Sequence, residues 1–143
     1  KKAINIHMGV SPYYRGSSCN FWAIYDKNPE MVGATIHLLT EGLDSGDILF
    51  NVFPKSEKID SFILGMKAVS AAQDALIEKI MNGEILKMTS IKQDKQLEIR
   101  CGKYVDFTDE VAMNYLKNKL TNEEIYNSLI NRDLNKFTNP VIK

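Results

Sequence analysis

The apolar positions of this 143-residue chain change period several times, and each change predicts an element. At the start, Ala3 to His7 alternate as a short strand, with Ile4 and Ile6 on one side and Asn5 and His7 on the other. Met8 to Gly16 is punctuated by Gly9, Pro12 and Gly16 and reads as a loop. Ser17 or Ser18 can cap a helix from about Cys19 to Asp26. The runs VGATIHLLT and ILFNVFP are rich in branched and large apolar residues, as strands are. Between them EGLDSGD carries two glycines suited to a turn, so the three stretches predict a hairpin that Pro54 ends. Asp60 or Ser61 caps a long helix, along which Phe62, Met66, Val69, Leu76 and Ile80 recur at helical spacing until Gly83. Lys87 to Arg100 predicts one or two short polar strands. Thr108, followed by Asp109 and Glu110, predicts a helix to about Leu120, and Thr121 and Glu124 have the spacing of a capping box that starts another. The tail after Lys136 is expected to be irregular.

Composition narrows the function classes. The chain is 44% hydrophobic and 25% charged, the make-up of one ordinary globular domain. Lysine plus arginine and aspartate plus glutamate balance at 18 each, so the clustered cation that grips a phosphate backbone is absent and nucleic acid is not an expected partner. No apolar run approaches the roughly 20 residues of a membrane span, and no signal-peptide pattern is present. Cys19 and Cys101 have neither metal nor redox spacing and read as reduced thiols of a cytoplasmic protein, with no metal site. A strand that begins by Ala3 without an initiator Met raises the expectation that this is the later part of a longer chain.

Two stretches carry candidate chemistry. Residues i and i+2 of a strand share a face, so Asn5 and His7 project together beside a glycine-punctuated loop. The Asn amide offers N–H donors, and a histidine titrating near neutrality can give or take a proton. Together they suit a site where a carbonyl oxygen becomes negative; the plainer reading is a polar strand end satisfied by backbone and water. In GLDSGD either Asp44 or Asp47 could be the useful carboxylate, and the plainer reading is a hairpin turn. An aspartate held near His7 would favour the imidazolium form. His37 reads as a satisfied sheet histidine, and Tyr13, Tyr14, Phe21, Trp22 and Tyr25 read as packing more than as an aromatic platform.

Taken together, INIHMGVSPYYRG, FWAI and VGATIHLLTEGLDSGDIL resemble the folate-dependent formyltransferase family, over about residues 2 to 54. That family includes glycinamide ribonucleotide, methionyl-tRNA and sugar N-formyltransferases. The resemblance implies an α/β fold: the later half of a doubly wound, Rossmann-like sheet with a β-hairpin and a long helix, then a small mainly helical extension. Residues 1–86 would be the later half of the catalytic domain and 87–143 the extension. Asn5 and His7 match the catalytic asparagine and histidine, and Asp44, which follows Gly-Leu, matches the catalytic aspartate. The co-substrate would be 10-formyltetrahydrofolate, with the backbone of Thr40, Glu41, Gly42, Leu43 and Asp44 lining its pterin pocket. The acceptor would be a small-molecule primary amine. The family's loop also implies a cis Ser11–Pro12 bond.

The chain departs from the family where a loop serine is usual, since Gly9 stands there, and it has one extra residue between Gly16 and Gly33. The resemblance leaves three readings of function. The first is an N-formyltransferase acting on a nucleotide-linked amino sugar, favoured by the neutral charge and by the shortness of the chain after Gly83. The second acts on methionyl-tRNA or a ribonucleotide amine, and the third is a non-catalytic binding module. Because the front half of the family's domain precedes the N-x-H strand, these 143 residues alone are expected to be inactive. They are expected to fold by associating with that missing N-terminal half or with a second copy.

Overall fold

A computed structural model describes residues 3–143; Lys1 and Lys2, the start of the expected first unit, lie outside the described residues. Among the described residues one sheet is built from β1 (Ile4–His7), β3 (Ala34–Leu38), β4 (Ile48–Phe53) and β6 (Val141–Ile142), in that order. A second, two-stranded ladder pairs β2 (Tyr14–Gly16) with β5 (Arg100–Gly102). β1 lies antiparallel to β3, and β3 antiparallel to β4, as the predicted hairpin requires. β6 runs parallel to β4, and β5 parallel to β2. The helices are α1 (Cys19–Tyr25), α2 (Ser61–Met81), α3 (Asp109–Lys117) and α4 (Asn122–Ile130). This is the α/β class expected from the sequence.

The registers explain why a buried strand carries polar residues. Asn5 stands opposite His37, and His7 opposite Thr35, which in turn faces Asn51. These side chains form one polar row. On the other face Ile6, Ile36 and Phe50 form an apolar row, on which α2 lies. That face and the helix make one core, with Ala71, Ala72 and Ala75 against Ile36, Phe50 and Val52. The polar face is covered by the loop after β1 and by α1, whose Trp22 and Ala23 belong to a second core with Val10, Tyr14, Phe53 and Leu64. Ile125, Leu129 and Phe137 of the later chain are buried in that same second core.

Asp60 caps α2 as expected, its Oδ1 accepting the N–H groups of Phe62 and Ile63 at 2.8 and 3.1 Å. The face it buries is not the one the large residues mark. Leu64, Ala68, Ala71, Ala72 and Ala75 are buried, while Phe62, Met66 and Ile80 are exposed. Both stripes have helical spacing, and the alanines win because a small side chain lets a helix axis approach a sheet closely. Thr108 and Thr121 cap α3 and α4, the latter with Glu124 in a full capping box. Ser18, in contrast, precedes α1 in a left-handed conformation and makes no side-chain cap bond.

Three further expectations change. The Met8 to Gly16 loop ends in β2, because β5 offers it a partner some 86 residues away. Lys87 to Arg100 is mostly irregular, with one 3-10 turn at Lys95–Leu97 and a single bridge between Ile91 and Ile48 before Arg100 opens β5. The tail is not wholly irregular: β6 adds to β4. No helix among the described residues is long and apolar enough to cross a membrane.

Candidate active site

The polar row of the sheet meets the turn between β3 and β4. His7 Nδ1 lies 3.3 Å from Asp44 Oδ2, and its Nε2–H donates to the Tyr14 carbonyl at 3.0 Å. Asn5 Nδ2–H donates to His37 Nε2 at 3.1 Å, while His37 Nδ1–H donates to the Leu38 carbonyl at 2.9 Å. Those two bonds are compatible when neutral His37 carries its proton on Nδ1. Asp44 Oδ1 is 3.9 Å from His37 Nε2. The structure therefore brings Asn5, His7 and Asp44 together, with His37 between Asn5 and Asp44. Ile4 and Ile6 fall on the opposite face. Asp47 contributes its backbone to the hairpin, its carbonyl accepting from Leu38 N–H at 2.9 Å.

Asp44 reaches inward because of its backbone. Its φ of 46° lies in the left-handed region, which aspartate tolerates better than most residues. Gly46 follows where a Cβ would fall 1.6 Å from the Leu38 carbonyl oxygen, so only glycine fits there. Oδ2 of Asp44 also accepts the Gly16 N–H at 3.2 Å, and Arg15 Nη2 donates to the Leu43 carbonyl at 2.7 Å. Thr40, Glu41, Gly42 and Leu43 are exposed, and Leu39 and Leu43 are 60% and 65% exposed.

The loop on the other side of His7 hangs from a buried hydroxyl. Thr35 Oγ1 donates to the Gly9 carbonyl at 2.7 Å and accepts from Ser11 N–H at 2.8 Å and from Asn51 Nδ2–H at 3.0 Å. Gly9 packs so tightly that a Cβ there would lie 2.4 Å from Cys19 Cβ and 2.7 Å from His7 Nε2. The usual loop serine is thus excluded by the approach of α1 in this arrangement. The Ser11–Pro12 peptide is cis, as the resemblance implies. Tyr14 is fully buried, and with Phe21, Trp22 and Tyr25 it packs in or against the core, as expected.

Burial is the largest influence on His7 and lowers its pKa below the ordinary 6.5. The Tyr14 carbonyl and the Asp44 carboxylate oppose that effect without overcoming it. Both ring nitrogens nonetheless face acceptors, the arrangement that a doubly protonated ring satisfies. The imidazolium expected from Asp44 alone is therefore held by geometry and weakened by burial, and its proton is easily given up. Burial also pushes the Cys19 thiol up to about 12, so it is not a nucleophile near neutrality. A cleft of about 440 Å³ opens beside His7, lined mainly by apolar groups that include Met8, Phe21, Phe62, Met66 and Tyr115.

Residues 1–61 match the sequence model of the family described as formyl transferase, and the match contains Asn5, His7 and Asp44. This stretch belongs to the formyl transferase family. The chain is 36% identical over 95 residues to a methionyl-tRNA formyltransferase of Lachnospira eligens, covering 64% of this chain and 29% of that protein. It thus spans less than a third of the length of that curated relative. Among solved structures, a 4-N formyltransferase from Francisella tularensis shares 28% identity with a TM-score of 0.60, over 79% of this chain and 50% of that one. The formyltransferase PseJ of Anoxybacillus kamchatkensis was solved with UDP-4,6-dideoxy-4-formamido-L-AltNAc and tetrahydrofolate. Its TM-score is 0.66 at 22% identity, over 89% of this chain and 66% of that one, a likeness of fold alone.

Two contributors to this cluster carry no local signal of their place in it. His37 was legible as a sheet histidine but not as the acceptor that holds Asn5. Gln93, whose Nε2 donates to the Asp44 carbonyl at 2.8 Å and to the Gly46 carbonyl at 2.7 Å, is a single glutamine in a polar stretch with no periodic signal.

Proposed function

We propose that the protein moves a formyl group from 10-formyltetrahydrofolate to a primary amine, with Asn5, His7 and Asp44 as the catalytic residues. The observation that carries this reading is the convergence of an amide, an imidazole and a carboxylate on one polar face, within the segment that matches the family. The exposed turn fits a folate: Thr40 to Asp44 present backbone, and Leu39 and Leu43 present apolar surface for a flat ring beside the carboxylate. The folate supplies the formyl group. Asn5 directs an N–H toward the oxygen that becomes negative when the amine attacks, the work of an oxyanion hole. His7, whose lowered pKa favours the neutral ring, takes the proton of the attacking amine and passes it to the folate nitrogen as the bond from that nitrogen to the formyl carbon breaks, leaving tetrahydrofolate and the formylated amine. Asp44 orients the ring through Nδ1 and stabilises its charged form.

The acceptor in this proposal is an amine on a nucleotide-linked sugar. Equal numbers of basic and acidic residues support it over a nucleic acid. The similarity to methionyl-tRNA formyltransferases favours a second reading, transfer to methionyl-tRNA. The cleft beside His7 is the acceptor's approach in either case. The division at residue 86 belongs to the same proposal, with the three catalytic residues in the first unit and the later chain bracing it. β1 stands at the edge of the sheet among the described residues, and Phe62, Met66 and Ile80 of α2 are exposed. Both surfaces support the reading that turnover needs further chain or a second copy and that residues 1–143 alone are inactive, and the free Cys19 and Cys101 fit a cytoplasmic location.

An acceptor screen with 10-formyltetrahydrofolate and the protein at its full natural length tests the proposal. Formylation of a nucleotide-linked amino sugar is expected. Formylation of methionyl-tRNA or a ribonucleotide amine would move the assignment to that acceptor. Folate binding without transfer to any amine would leave a binding module. In the active protein His7→Ala and Asp44→Asn are each expected to lower kcat by about 10²–10⁴-fold with the fold intact; normal turnover in either removes its assigned role.

A further inference from the structure

Asp44 holds a left-handed φ of 46° in a turn whose preceding residues, Thr40 to Leu43, are exposed. Such a turn does not by itself keep a carboxylate on an imidazole. The side chain that grips it comes from nearly fifty residues later. Gln93 is buried, and its Nε2 spends both N–H groups on the turn, one on the Asp44 carbonyl and one on the Gly46 carbonyl. Those carbonyls fix the peptide planes that follow Asp44 and Gly46, and hence the direction in which Asp44 leaves the backbone. Gln93 is itself held by the Ile91–Ile48 bridge, whose two N–H···O bonds are each 2.8 Å, so its donors are anchored to the start of β4, where that strand leaves the turn. From the opposite side Arg15 holds the Leu43 carbonyl, with its guanidinium paired to Glu98 at 2.7 Å, another residue of the later chain.

We propose that Gln93 is a positioning residue for the formyl-transfer site: it clamps the Asp44–Gly46 turn so that the Asp44 carboxylate stays on His7. The proposal rests on the catalytic reading of that pair, and it adds a role for a residue outside the segment that matches the family. Leucine at position 93 has nearly the same volume and no donor. It leaves two carbonyls unmatched, and the turn relaxes toward solvent. Glutamate is isosteric and, when ionised, sets a carboxylate against both carbonyls.

The test uses the full-length protein with Gln93→Leu and Gln93→Glu. Two quantities are read: the NMR titration of the His7 ring and steady-state formyl transfer. With the clamp lost, Asp44 no longer raises the proton affinity of His7, so the titration midpoint is expected below that of the unmodified protein. The value of kcat is expected to fall about 10–100-fold, the cost of a roughly 1 Å displacement of a supporting group, while KM for the amine stays near its original value. Folded variants with the original His7 midpoint overturn the proposal, even if they are less stable, because a merely structural residue lowers stability without moving that titration. If Gln93→Leu does not fold, Gln93→Asn keeps both donors one methylene short and is expected to show a smaller shift in the same direction; an unshifted midpoint there also overturns the proposal. If the unmodified protein transfers no formyl group, the catalytic reading fails, and the His7 shift still decides whether Gln93 positions Asp44.

Discussion

Replacing Thr35 by valine keeps the shape of a fully buried side chain and removes its hydroxyl. That oxygen serves three groups: the Gly9 carbonyl, the Ser11 N–H and the Asn51 amide, at 2.7, 2.8 and 3.0 Å. A buried donor or acceptor left without its partner costs about 1–3 kcal/mol, so three of them set an upper range of roughly 3–9 kcal/mol. Relaxation reduces this, since the Asn51 amide can tilt while its Oδ1 still accepts the Thr138 N–H at 2.9 Å. The expected loss is about 3–5 kcal/mol, a large part of a typical stability of about 5–15 kcal/mol. Thr35→Ser is the control: it keeps the hydroxyl and deletes one methyl group, for about 1 kcal/mol. Urea unfolding of the full-length protein measures both. With a slope of about 1–3 kcal/mol per molar, the valine variant should unfold at least about 1 M earlier than the unmodified protein, and well before the serine variant. The same substitution frees the Gly9 and Ser11 backbone that leads to the Tyr14 carbonyl on His7, so formyl transfer should fall with it. Equal midpoints for the valine and serine variants would refute the claim that this hydroxyl carries the loop.

Gly9→Ala forces a Cβ against Cys19 and the His7 ring, and is expected to cost about 1–3 kcal/mol and to depress turnover; an unchanged unfolding midpoint counts against the packing described here. The His7 pKa is lower in the folded protein than the ordinary 6.5, so the unfolded chain binds that proton more tightly and acid favours unfolding. Stability should therefore decline as pH falls below about 6.5 and stop declining, on this account, below the folded-state pKa. His7→Asn removes that contribution, and identical pH slopes for the variant and the unmodified protein would rule it out.

Much of the site is written in adjacent residues. The alternation of Ile4, Asn5, Ile6 and His7 needs nothing beyond strand geometry to put an amide and an imidazole on one face, and Asp60, Thr108 and Thr121 announce their helices because a cap bonds within its own first turn. The hairpin of β3 and β4 is likewise local, closed by the connection 39–47 that carries Gly42 and Gly46. Other features depend on partners that no local pattern names. Two apolar stripes of α2 have the same period, and the sheet's need for close approach selected the alanines and left Phe62 and Met66 exposed. The tripeptides β2 and β5 are too short to be recognised, and each becomes a strand by meeting a partner far away in sequence. His37 became the acceptor for Asn5 because the register of β1 set it opposite, and Gln93 became the clamp on Asp44 because Ile91 pairs with Ile48. The lowered pKa of His7 has the same origin: a free imidazole titrates at 6.5, and only the surrounding layers that exclude water make its charge costly.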